Sequence, residues 1–264
     1  MKALKVNINN GIAVVTFENP PLNLFNYSVY NEFKEVFNEL SENDKAVVVV
    51  LNAVGKNFSV GQDVKELQAI EKNNIDEHYR IVGEGLAAIY KCKKPTVVAV
   101  HGMVVGAGLA AAASCDVIIA SEDASFSIPE IKVGIIGAPE FLQLLVPKKI
   151  ARYYSYTGRA LSAYKVYQYG GILEIVPKEE LINTAIKISK DIMEYSSPIA
   201  LSCFKQTMND NDNEMLLEKF YHDKYYGKQF LETEDSKEST LAFFEKRKPK
   251  YNLKEHDTLN FERK

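Results

Sequence analysis

Apolar and polar positions along the 264-residue chain follow two periods, strand-like in the first half and helical in the second. Residues 4–9 and 12–18 read as two strands around Asn9-Asn10-Gly11. Asn-Gly is a strong hairpin signal, because both residues tolerate the left-handed backbone of a tight turn. Asn19-Pro20-Pro21 ends the second strand. Tyr27, Tyr30, Phe33, Phe37 and Leu40 then recur every three or four residues, which makes one apolar helix face. Residues 46–51 form a continuous, mostly β-branched run, the pattern of a strand covered on both faces. Helical patterns follow at 63–72 and 77–91, and Lys94-Pro95 stops the second. Residues 96–100 read as a buried strand, the Gly/Ala-rich segment ending at Ser114 as a short helix, and 117–120 and 125–128 as strands. From about residue 138 the texture is helical, with segments at 139–145, 151–157, 162–168, 178–195, 198–208, 213–230 and 235–246.

Strands alternating with helices, then helices alone, describe an α/β core followed by a helical region. The expected division is 1–195 for the core, 196–251 for a C-terminal helical region and 252–264 for a polar tail without fixed structure. The chain carries no internal repeat and no Pro/Ser/Gly-rich linker.

Composition narrows the function classes. With 46% apolar and 25% charged residues the chain is ordinary globular protein, large enough to bury about 70% of its unfolded surface. The net charge of −3 lacks the clustered basic excess of a nucleic-acid binder. The run Lys246-Arg247-Lys248-Pro249-Lys250 reads as a solvated face. Cys92, Cys115 and Cys203 are odd in number and contain no C-x-x-C, which fits a reducing cytosol better than a disulfide framework. His78, His101, His222 and His256 never fall at metal-ligand spacing, so no metal centre is expected. Neither a signal core nor an uninterrupted apolar span of 18 residues is present, so the expected location is cytoplasmic, away from membranes.

Three segments could carry chemistry. Residues 106–111 satisfy G-x-G-x-x-A, the dinucleotide fingerprint. That fingerprint requires glycines directly after a strand and a long helix behind them. Here about five loop residues separate Val100 from Gly106, and the next strand begins at Val117. A Gly-Ala-Gly helix start instead leaves backbone N–H groups free to hold a developing oxyanion. The second segment, from Gly55 to Leu67, is a strand-to-helix loop in which Gly61 permits an unusual turn, Gln62 has a plausibly free N–H and Asp63 caps the helix. In the third, Glu130 and Glu140 lie among apolar and turn residues, surroundings that raise a carboxyl pKa and suit it to acid/base work. Glu140 also suits the first turn of a helix, where the dipole favours a negative charge.

In order and spacing these segments resemble the crotonase superfamily, the enoyl-CoA hydratase/isomerase family. Five blocks carry the resemblance: Phe58-Ser59-Val60-Gly61-Gln62-Asp63-Val64-Lys65, Lys94-Pro95-Thr96-Val97-Val98-Ala99-Val100-His101-Gly102, Gly106-Ala107-Gly108, Cys115-Asp116-Val117-Ile118-Ile119-Ala120, and Phe126-Ser127-Ile128-Pro129-Glu130-Ile131-Lys132-Val133-Gly134. Weaker matches are Thr157-Gly158-Arg159 and the segment from Ala242 to Pro249. The resemblance implies a spiral of β-β-α units with a C-terminal helical region for trimer formation, the trimers often pairing into hexamers. It implies an acyl-CoA or acyl-carrier-protein thioester as substrate, with coenzyme A as part of the substrate and no separate cofactor. Backbone N–H groups of Gln62 and Ala107 would form the oxyanion hole. Val60, Gln62, Asp63 and Lys65 would bind CoA, as would Phe243 and Lys246 from the same or an adjacent site.

One departure bears on the reaction. Hydratases of this family carry two catalytic glutamates; the second matches Glu130, while the first falls on Ala110. Hydration needs a placed water and a proton delivered to carbon, which paired carboxylates supply. Moving a double bond needs one carboxylate that removes a proton from one carbon and returns it to another. The expectation is an enoyl-CoA isomerase with Glu130 as its single acid/base. Alternatives are a hydratase or dehydratase with Glu140 or another group as partner, a decarboxylase or hydrolase of the same type, and a non-catalytic acyl-CoA binder.

Overall fold

The structure is a computed structural model and describes residues 2–70, 73–137 and 139–251, with the backbone alone at 211–217 and 222. The expected hairpin is present: β1 (Leu4–Asn9) pairs antiparallel with β2 (Ile12–Phe17), Asn9 opposite Ile12. Glu32, inside helix α1 (Tyr27–Glu42), accepts the N–H groups of Ala3 and Leu4 at 2.9 and 2.8 Å and ties this edge to the core. Asn26 caps α1 by accepting the Val29 N–H. Of the predicted face of α1, Tyr30, Phe33, Phe37 and Leu40 are buried and Tyr27 is half-buried; the Tyr30 and Phe33 rings meet Phe17 and Phe25 at centroid separations of 5.1–5.4 Å. Each buried phenylalanine contributes about 1.5–3 kcal/mol.

The central sheet continues in parallel through β3 (Val48–Ala53), β4 (Thr96–Val100), β6 (Val117–Ser121) and β9 (Glu174–Val176), in the order β1-β2-β3-β4-β6-β9. The inner strands β3, β4 and β6 are apolar at nearly every position because both faces are covered, whereas the edge strand β1 alternates polar and apolar residues. Val48, Val50, Val97, Ala99 and Ile119 pack on one face against α8 (Leu181–Glu194). Val49, Leu51, Val98 and Val100 face the main core, which holds α1 and α3 (Ile75–Tyr90).

A second sheet of β5 (Met103–Val105), β7 (Ser125–Ser127) and β8 (Leu161–Ser162) is fed by the first. β4 passes into β5 and then α4 (Ala107–Ala113). β6 passes into β7 and then a 3-10 turn at Glu130–Lys132. This is the expected β-β-α repeat. The loop expected between Val100 and Gly106 contains β5, three residues long and too short to show an alternation. The other elements are α2 (Val64–Gln68), α5 (Pro139–Leu145), α6 (Lys148–Thr157) and α7 (Ala163–Gln168).

The C-terminal region differs from expectation in one respect. The separate helices at 198–208 and 213–230 are one helix, α9 (Pro198–Leu231). The intervening Asn209-Asp210-Asn211-Asp212 are poor helix formers but include no Gly or Pro, so the cost is a few tenths of a kcal/mol each, not a break. Lys205 anchors α9: its buried ammonium bonds Asp116 at 2.8 Å and the Lys94 carbonyl at 3.0 Å. α9 packs on α3 and α5, and α10 (Glu234–Phe244) packs on the Glu130 turn. Ser236 donates to the Gly134 carbonyl at 2.7 Å and Thr240 to the Val133 carbonyl at 3.0 Å. The C-terminal helices thus lie on this chain's own core. The expected polar tail, 252–264, lies outside the described residues. No described helix is long and apolar enough to cross a membrane.

Candidate active site

The site is made where two glycine turns touch. Gly61 (φ +101°) and Gly106 (φ +51°) occupy the left-handed region that side chains disfavour. A Cβ on Gly106 would stand 2.5 Å from Glu130 Oε1, so the carboxylate would have to shift, while the Gly61 Cα at 3.9 Å would be in ordinary contact. The first turn is pinned on both sides. Ser59 Oγ donates to the Asn23 carbonyl at 2.6 Å and accepts the Gly61 N–H at 3.2 Å. Phe25 donates to the Gly61 carbonyl at 2.9 Å, and the Asp63 N–H donates to the Phe25 carbonyl at 2.7 Å. Between these bonds the Gln62 N–H makes none to the described protein. The Ala107 N–H opens α4, and a first-turn N–H has no partner inside its helix. Gly106 itself donates to Ser127 at 2.9 Å, which holds the start of α4 against β7.

Gln62 and Ala107 both line a cavity of about 290 Å³, together with Val60, Ala110, Glu130 and Phe243. Among the described residues Glu130 is the one carboxylate in that wall. Its Oε2 is buried without a hydrogen-bond partner, and burial pushes its pKa up to about 8. At neutral pH the group holds its proton and stands within reach of ionisation, as a group that both gives and takes protons requires. Ala110, buried on α4, offers only a methyl group to the same cavity.

The other candidate residues are distributed differently. Asp63 caps α2, its Oδ1 accepting the Lys65 N–H at 2.9 Å, and Lys65 is exposed beside it; neither lines the cavity. Lys246 lies just past α10, exposed and outside the wall. Glu140 is in the first turn of α5, but it is buried, not a solvated dipole partner, and sits behind the wall. It shares a hydrogen bond with Asp223 of α9, so one of the two carboxyls must hold a proton. Burial, then the Asp223 charge, raises Glu140 above the usual carboxylate range.

Among the wall members that sequence reading missed are Tyr30, His78, Tyr79 and Phe220. Tyr30 was legible as part of the buried face of α1 but not as a polar group. Burial depresses His78 to about 4, so its ring is neutral. Tyr79 donates to the Ile136 carbonyl at 2.8 Å and packs its ring 5.4 Å from Phe220, which closes the cavity from α9. His101 is structural, its Nε2 3.1 Å from the Gly55 carbonyl. A larger depression of about 940 Å³ between α1, α3 and α9 contains none of the candidate residues. The dinucleotide reading fails: a strand does precede Gly106, but α4 has only seven residues and its N-terminus faces a carboxyl group.

Comparison with known proteins agrees with this geometry. The chain is 34% identical over 204 residues to the (7aS)-7a-methyl-1,5-dioxo-2,3,5,6,7,7a-hexahydro-1H-indene-carboxyl-CoA hydrolase of Rhodococcus jostii, covering 77% of this chain and 79% of that one. It is 32% identical over 249 residues to the short-chain-enoyl-CoA hydratase of Clostridium acetobutylicum, covering 90% and 92%. The crystal structure of an enoyl-CoA hydratase/isomerase from Pseudoalteromonas atlantica superposes with a TM-score of 0.84 at 27% identity, over 95% of this chain and all of the other. The sequence model described as enoyl-CoA hydratase/isomerase matches residues 7–254, and the chain belongs to that family.

Proposed function

We propose that the protein is an acyl-CoA isomerase that shifts a carbon–carbon double bond, with Glu130 as its only acid/base group. The carrying observation is that Glu130 is the one carboxylate in the cavity wall among the described residues, while Ala110 presents a methyl group. The thioester carbonyl oxygen accepts from the N–H groups of Gln62 and Ala107. Ionised Glu130 removes a proton from the carbon next to the thioester, and the negative charge moves onto that oxygen. The double bond migrates as the same carboxyl returns the proton two carbons further on. Removing one oxyanion donor in other enzymes costs about 2.7–4 kcal/mol of transition-state stabilisation. Val60 and Phe243 flank the thioester; Asp63, Lys65 and Lys246, outside the wall, take the more polar parts of CoA or of a carrier protein in this reading.

The test is turnover of a 3-enoyl-CoA to its 2-enoyl isomer, separated chromatographically. Glu130→Gln lowers the rate about 100-fold or more while the thioester still binds. Unchanged turnover in that variant removes Glu130 from the mechanism. The relatives named as hydrolase and hydratase favour a water-consuming alternative, which mass spectrometry detects as a product heavier by one water. We also propose a trimer, or two trimers paired. Tyr195 after α8 (90% exposed) and Ile199 (78%) and Phe204 (72%) in the first turns of α9 are exposed apolar side chains for a second copy to cover. Sedimentation velocity distinguishes monomer, trimer and hexamer.

A further inference from the structure

The cavity has a polar side that a single-carboxylate isomerisation does not use. Tyr27 and Tyr30 stand one turn apart on α1, and each reaches a polar side chain of the cavity wall. The Tyr30 hydroxyl donates to Gln62 Oε1 across 3.4 Å, long for such a bond. Gln62 Nε2 is buried and has no hydrogen-bond partner. Tyr27 bonds Nδ1 of His78 at 3.2 Å, which leaves Nε2 of that neutral ring uncommitted among the described residues. The remainder of the wall is largely apolar, with Val82, Leu86 and Phe220 in it.

The Tyr30 ring is fixed. It packs 5.1 Å from Phe25, and a Cβ on Gly85 would come within 3.1 Å of it. Its hydroxyl is therefore held in place before any ligand arrives. A buried amide donor without an acceptor bears its desolvation cost uncompensated, and a ligand oxygen relieves it. That oxygen is uncharged. Lys132, the one cation of the wall among the described residues, turns its Nζ to the Gly158 carbonyl at 2.6 Å, away from the amide donor, and Glu130 repels an anion in the same space once it ionises.

We infer that Tyr30 and the Gln62 side chain form an oxygen-recognising subsite, so that the acyl group processed here carries a keto or hydroxyl oxygen besides its thioester. Gln62 Nε2 donates to that oxygen, and Tyr30 exchanges its long bond to Gln62 for a second donation. With a hydroxyl, Gln62 Oε1 accepts the ligand's proton. The inference rests on the acyl-CoA reading and specifies its substrate class.

The experiment is calorimetric binding of hexanoyl-CoA and of 3-hydroxy-, 4-oxo- and 5-oxohexanoyl-CoA to the full chain. At least one oxygenated thioester binds about tenfold more tightly than hexanoyl-CoA, the worth of one good neutral hydrogen bond. Tyr30→Phe and Gln62→Leu each remove most of that ratio. A purely structural role for either side chain lowers both affinities together and leaves the ratio intact, which overturns the inference. Equal binding of all four overturns it as well and leaves the acyl-CoA reading standing. No binding by any of them refutes both.

Discussion

Replacing Glu130 by glutamine removes a buried acid whose ionisation opposes folding. Its pKa is about 8 in the native protein, because burial penalises the charged form, against 4.5 for a solvated glutamate. In the unfolded chain the group loses its proton near the solvated value; in the native state it keeps it to about pH 8. Between the two the native state binds more protons, so stability falls as pH rises. Below about 4.5 the penalty is absent, and above about 8 it is complete. A tenfold change in proton affinity is about 1.4 kcal/mol, so the whole penalty is roughly 5 kcal/mol.

Glutamine keeps the shape and cannot ionise. Whatever its amide gains or loses inside the cavity is the same at every pH, so the difference between wild type and variant, followed against pH, isolates the carboxylate. Urea unfolding at pH 4.5, 6, 7 and 8.5 is the assay. The variant gains on the wild type by several kcal/mol between the extremes while its turnover collapses, a stability–activity trade-off located in one atom. Parallel stability curves for the two proteins would refute the reasoning, because they mean that the carboxyl is solvated or paired in the native state.

The same group sets the rate profile: kcat/KM for double-bond migration rises about tenfold per pH unit toward a plateau above pH 8, measured on the free-enzyme limb. Gly106→Ala puts a methyl 2.5 Å from Glu130 Oε1 at a left-handed position, and activity falls about 100-fold or more with a stability loss of about 1–3 kcal/mol, read by turnover and urea titration. Ala110→Glu places a second carboxyl in the cavity wall; by like-charge repulsion the pKa of Glu130 rises further, and water addition to a 2-enoyl-CoA becomes detectable by mass. Lys205→Met leaves Asp116 without its cation and costs about 3 kcal/mol in unfolding experiments, with α9 the first segment to exchange its amide protons.

Much of the fold is written in short-range patterns. The hairpin at Asn10-Gly11, the buried face of α1, the strands at β3, β4 and β6 and the helix at Pro139–Leu145 follow from periodicities complete within a dozen residues. What escaped has no local signature. β5, β8 and β9 are two or three residues long, and a strand that short is defined by its neighbours, not by its own alternation. α9 reads as two helices because its middle is polar. That middle survives because nothing in it breaks a helix, and because the ends are held by distant groups, Lys205 on the sheet and Phe220 on Tyr79.

The site divides in the same way. Gln62 and Ala107 were legible as backbone donors because turn glycines close in the chain mark them, whereas Glu130 was singled out from Glu140 by the family resemblance. Val60 and Phe243, which line the cavity, came through the family resemblance. The polar side of the cavity was not legible. Tyr30 contributes to the apolar periodicity of α1 through its ring, and only the fold turns its hydroxyl toward Gln62, 32 residues away. His78 occupies one position in a helix whose pattern says nothing of its ring nitrogens. On the reading proposed above, these residues decide which acyl group reaches the Gln62 and Ala107 N–H groups and Glu130. Two N–H donors and one carboxyl suffice for proton transfer next to any thioester. The choice among thioesters falls to wall residues drawn from α1, α3, α9 and α10, elements remote in sequence from the catalytic turns. Relatives with different printed activities can therefore share the catalytic turns while differing in these walls, and substitutions at Tyr30, Gln62 and Phe220 should change the preferred acyl group more than they change the chemistry performed on it.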